Sequence, residues 1–119
     1  MNVKEKLIEA LKPLGYPIYL QGSIAPEEAY PDTLITFWVS NANDGSHYDD
    51  RPNNWVWEFD VFIYSNDPEV VNTKPDEIRK ALTAAGFIAR GKGWDIPSDE
   101  PTHTGWAQEY YYIETNKEA

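Results

Sequence analysis

The chain has 119 residues, no cysteine and a formal net charge of −10. That length fits a single domain, residues 1–119, with a core of its own and no room for a separate cofactor domain. The absence of thiols excludes disulfides and thiolate metal sites, and the acidity argues against a nucleic-acid binder, whose affinity comes from clustered Lys and Arg.

In chain order, Val3, Leu7, Ala10, Leu11 and Leu14 recur at helical spacing, Asn2 and Glu5 form a capping-box pattern, and Gly15 stands where a helix stops. A first helix is expected over about Val3 to Lys12. This N-terminal stretch is charged and unlike a signal peptide, and no apolar run reaches the roughly 18 to 20 residues of a membrane span, so synthesis and retention in the cytoplasm are expected unless the chain leaves within a particle. Ile18 to Gln21 reads as a short strand, and Thr33 to Ser40 as a second, with Ile35, Phe37 and Val39 alternating against Leu34, Thr36 and Trp38. Asn41 to Asn54 is polar, rich in turn formers and without periodicity, and is expected to be a long loop of the kind that carries function or lacks order.

Trp55 to Tyr64, WVWEFDVFIY, is the strongest strand signal. Its odd residues Trp55, Trp57, Phe59, Val61 and Ile63 are expected to face helices. Its even residues Val56, Glu58, Asp60, Phe62 and Tyr64 face the other side, where Trp38, Trp106, Tyr110 and Tyr112 join them if the registers permit. Thr73 with Asp76 three residues on signals the start of a second helix, Ile78, Ala81, Leu82 and Ala85 give it an apolar stripe, and Gly86 ends it. Phe87 to Trp94, interrupted by Gly91 and Gly93, and Trp106 to Glu114 are the last two strands. The order αβββαββ predicts an α+β fold: a two-layer sandwich with a mostly antiparallel five-strand sheet and two helices on one face.

Reaction chemistry finds little support. Glu58 and Asp60 share a strand face at roughly 6 to 7 Å, a spacing open to an acid/base pair, but such pairs are common on strands and no pocket-forming partner is identifiable. His47 near Asp44, Asp49 and Asp50 lacks the EF-hand pattern, His103 has no ligand spacing, and Gly91-Lys92-Gly93 is too short for a phosphate cradle. No catalysis, cofactor or metal is expected.

Charge is segregated along the chain. Pro13 to Thr73 holds ten acids and one base, Arg51, whereas Lys74 to Trp94 holds Lys74, Arg79, Lys80, Arg90 and Lys92 against Asp76 and Glu77. Opposed patches of this kind attract one another between copies or remain solvated.

The run FDVFIYSNDP from Phe59 to Pro68, the segment DEIRKALTAAGF from Asp76 to Phe87 and the closing YYYIE together resemble the small tail-terminator or tail-completion proteins of long-tailed bacteriophages and prophages. The matching residues lie mainly within Trp55 to Phe87, and the order of elements extends the resemblance over most of the chain. It implies a structural protein of the virion, assembled in the host cytoplasm, that caps the tail tube and joins tail to head as a ring, typically sixfold. Its partners would be copies of itself and tail-tube or head-connector proteins, with DNA passing through the lumen without specific binding. On that expectation Asp44, Asp49, Asp50, Glu58 and Asp60 supply acidic surface, Arg79, Lys80, Arg90 and Lys92 meet acidic surface on a neighbour, and an acidic lumen repels DNA. The competing expectation is a carbohydrate- or protein-binding adaptor that uses exposed Trp and Tyr rings.

Overall fold

A computed structural model describes residues 2–21, 30–44, 47–48, 51–52 and 54–115. Helix α1 (Val3–Leu11) is followed by a short 3-10 turn and strand β1 (Ile18–Leu20). Then come β2 (Thr33–Asp44), β3 (His47–Tyr48), β4 (Arg51–Pro52), β5 (Asn54–Ser65), helix α2 (Pro68–Ala84), β6 (Ile88–Ile96) and β7 (Thr104–Thr115). Five strands form one sheet in the order β1-β2-β5-β7-β6, and β3 and β4 form a separate two-stranded ladder.

The α+β class and the five-strand sheet with two helices are as expected, with two corrections. β1 runs parallel to β2, so the sheet is mixed. The element order also departs from αβββαββ, because the expected loop over 41–54 contains regular structure: Asn41–Asp44 continue β2, and the β3/β4 ladder lies between β2 and β5. The extension of β2 was hidden by a bulge between Val39 and Asn41, which shifts the alternation by one residue.

Asn2 caps α1 as its sequence predicts, its side chain accepting from the Glu5 amide at 2.9 Å. Val3, Leu7 and Leu11 lie one turn apart and are buried against the sheet. Helix α2 starts earlier than the Thr73 signal suggests. Asp67 is its N-cap, accepting from the Glu69 amide at 3.0 Å, and Pro68 takes the first position. Thr73 is interior, its hydroxyl donating back to the Glu69 carbonyl, and Pro75 also lies inside the helix.

The core lies between the helices and one sheet face. Leu7, Leu11 and Leu82 are fully buried against Ile35, Phe37, Phe59, Val61, Ile63 and Tyr110. The odd residues of β5 therefore face the helices, except that Trp55 lies beyond their reach and is 41% exposed. On the other face Val56 and Ile113 are paired at one end of the sheet, while at the opposite end Leu34, Phe62, Tyr64 and Ala107 form a buried cluster with Tyr19, Tyr30 and Ile96. His103 ties that end together: its Nε2 lies 2.8 Å from the Pro31 carbonyl, and its ring meets Tyr30 edge-on.

Beyond the helices the sheet narrows to a three-stranded arm. β1 stops opposite Phe37 and β6 begins opposite Tyr111, while Ala42–Asp44, Asn54–Val56 and Ile113–Thr115 continue. The molecule reaches 52 Å in its longest dimension.

Candidate assembly surfaces

The face opposite the helices carries a row of side chains crossing four strands. Trp38, Asp60, Glu109 and Arg90 are successive register partners on β2, β5, β7 and β6. The Trp38 indole donates to Asp60 Oδ2 at 2.7 Å, and Arg90 lies 3.5 Å from Glu109 Oε2 while also donating to the Tyr111 hydroxyl. Beside this row Asn41 donates to Glu58 Oε2 at 3.4 Å. Glu58 and Asp60 thus share a face, as their spacing predicts, and each is held by a neighbouring donor. Trp38 is 45% exposed here, next to the apolar cluster, and Ile88, Trp94 and Ile113 are also exposed.

The expected aromatic membership of this face is corrected by the register of β7. Trp106, Tyr110 and Tyr112 pair with Ile63, Phe59 and Trp57, so they point toward the helices; Ala107, Glu109, Tyr111 and Ile113 occupy the opposite face. Both alternating sets of β7 contain large side chains, so periodicity alone leaves their assignment open.

A second surface lies on the helix side, between α2 and β6. Gly91, Lys92 and Gly93 bulge opposite the single residue Gln108, since Arg90 pairs with Glu109 and Trp94 with Ala107. Gly91 and Gly93 both have left-handed backbone, with φ of 68° and 100°. Three side chains hold the bulge. Gln108 Nε2 donates to the Arg90 carbonyl at 2.6 Å, Arg79 donates to the Gly91 carbonyl at 2.9 Å, and the Trp106 indole donates to the Lys92 carbonyl at 3.0 Å. In the sequence Gly91 and Gly93 interrupt the strand pattern of Phe87 to Trp94. Paired glycines in a strand between polar residues are a bulge signal, and that signal locates this site.

The bulge and α2 enclose a groove of about 310 Å3, whose apolar floor is Val71, Pro75 and Trp106 and whose charged rim is Arg79, Lys92 and Asp76. Pro75 has no amide hydrogen to offer the Val71 carbonyl one turn back, so this side of α2 is less self-satisfied than the rest. Beneath it Tyr110 is held neutral: burial pushes its hydroxyl pKa well above the ordinary 10.0, with Asp76 adding to the effect and Arg79 opposing it.

The four bases grouped by sequence therefore separate. Arg79 and Lys92 meet at the groove, Lys80 is exposed on α2, and Arg90 lies on the opposite sheet face against Glu109. Asp44 ends β2 on the arm, while Asp49 and Asp50 lie outside the described residues. Among the described residues no three His, Cys, Asp or Glu side chains converge as a metal site, and no helix is long and apolar enough to cross a membrane.

Comparison with protein-family models and with curated proteins finds no match for this chain.

Proposed function

We propose that this chain is a structural assembly protein of a long-tailed phage or prophage, one that forms a ring, caps the tail tube and joins it to the head. The observation that carries this reading is the row Trp38–Asp60–Glu109–Arg90 on a sheet face free of both helices. A broad face of carboxylates, exposed indole and aliphatic side chains suits contact with protein, and its acidic centre suits a lumen past which DNA slides without adhering. The long arm supports the same reading, since a projection with exposed Trp55 and Ile113 offers a neighbour something to grip.

Edge pairing is an unsuitable means of joining copies. β1 is three residues long, and β6 carries the bulge and the charged residues Arg90, Lys92 and Asp95, features that protect a sheet edge against strand addition. Side-chain complementarity is then the mechanism of assembly, and no reaction is involved. The test is negative-stain imaging of the purified protein with its tail-tube partner: rings at tube ends support the proposal, and failure to bind tube ends removes it.

The adaptor reading draws on exposed Trp38 beside Asn41 and Asp60, a pairing of ring and polar groups that suits a sugar. Glycan-array binding that Trp38→Ala abolishes would favour it. Trp106 does not belong in that test, because its indole is engaged with the bulge on the other side of the sheet.

A further inference from the structure

We infer that the groove between α2 and the β6 bulge is the receptor for the arm of a second copy, with Trp55 as the inserted anchor. This rests on the self-assembly reading above and names the contact that would join neighbours.

The two surfaces are complementary in shape and charge. Trp55 projects from the helix side of β5 past the last helical residue and is 41% exposed. Its register partner on β7 is Glu114, whose carboxylate accepts from the Trp57 indole at 3.0 Å, so an acid is fixed beside the anchor. The groove presents the converse: an apolar floor of Val71, Pro75 and Trp106, with Arg79 and Lys92 at its rim and Asp76 the one opposing charge among its lining. A space of about 310 Å3 accommodates an indole ring. Lys92 is exposed and its ammonium makes no ion pair among the described residues, while Arg79 spends one nitrogen on the Gly91 carbonyl.

The occupant must come from another molecule. Trp106, in the groove floor, pairs with Ile63, eight residues along β5 from Trp55, which at about 3.3 Å per residue is roughly 26 Å. Arm and groove therefore lie at opposite ends of one rigid strand. An arm-to-groove contact is head-to-tail, the type that generates rings when its rotation closes. Aromatic anchors seated in pockets with charged rims carry a disproportionate share of interface affinity.

The experiment uses the full-length chain, with sedimentation velocity on wild type, Trp55→Ala, Lys92→Glu and Asn72→Trp, each alone and with tail-tube protein. Asn72 is an exposed lining residue, so Asn72→Trp plugs the groove while leaving the arm and Lys92 intact. All three sites are exposed, and thermal melts should match wild type. Wild type should assemble, and each variant alone should associate at least about tenfold more weakly. Trp55→Ala retains a groove and Asn72→Trp retains an arm, so mixing them should give 1:1 pairs and nothing larger. Variants that assemble like wild type overturn the arm-to-groove contact and leave the ring proposal standing. A wild type that stays monomeric both alone and with tail tube overturns both.

Discussion

Replacing Gly93 by Ala tests whether the β6 bulge is built into the fold. Gly93 has φ of 100°, and a Cβ there would overlap the Ala107 carbonyl oxygen and the Trp106 indole nitrogen. The left-handed backbone alone costs a non-glycine residue about 1 to 2 kcal/mol. Moving the indole also breaks its hydrogen bond to the Lys92 carbonyl, about 1 kcal/mol more. With the Ala107 carbonyl also forced to shift, a destabilisation of at least about 3 kcal/mol is expected, a large part of the net stability of a small domain. Gly91 provides the control: its φ is 68°, but a Cβ there meets nothing within 4 Å, so Gly91→Ala should cost only the backbone share, about 1 kcal/mol. The assay is urea unfolding followed by tryptophan fluorescence. At a typical slope of about 2 kcal/mol per molar urea, the midpoints of the two variants should differ by at least about 1 M. Equal midpoints would refute the claim that Trp106 and Ala107 hold the bulge closed around Gly93.

Asp67→Ala should cost about 1 kcal/mol by removing the cap of α2, whereas Thr73→Ala, at an exposed interior position, should cost less than about 0.5 kcal/mol; thermal melts distinguish the two. Phe59→Ala empties a fully buried site between helices and sheet and should cost about 3 to 5 kcal/mol, measured by denaturant titration if the variant folds and seen as loss of soluble protein if it does not. Tyr110 has its pKa raised by burial above its unfolded value of 10.0, so the folded state keeps a proton that the unfolded state releases. That contribution is fully present below about pH 10 and falls as pH rises further, so a plot of stability against pH should bend downward above pH 10, and Tyr110→Phe should reduce the bend.

Much of the fold is legible in the chain because local rules and tertiary packing agree there. The Asn2 and Glu5 pattern marks the start of α1, and the alternation of Phe59, Val61 and Ile63 identifies both a strand and its core face. Elsewhere two local signals competed. Thr73 and Asp76 imitate a helix start, but Asp67-Pro68 is an equally valid cap and first turn, and burial of Val71 extends the helix to it. Alternation failed to follow β2 past Ser40 because the bulge there reverses the faces, and the parallel pairing of β1 with β2 depends on contacts far apart in sequence.

The candidate surfaces were legible in part for the same reason. Glu58 and Asp60 share a face by strand geometry alone, whereas their cross-strand neighbours Trp38 and Glu109 follow from register. Arg79, Arg90 and Lys92 are close in sequence, yet strand alternation and the bulge send Arg90 to one side of the sheet and Lys92 to the groove on the other. Charge runs report composition along the chain; a surface is defined by which of those charges the backbone turns toward the same solvent.

The most direct measurement of the central claim is the mass and shape of the purified protein on tail tubes, by negative-stain imaging paired with light scattering. A ring of several copies seated on tube ends, halting further tube growth, is the predicted result. A protein that remains monomeric in the presence of tubes and leaves their growth unchanged would contradict it.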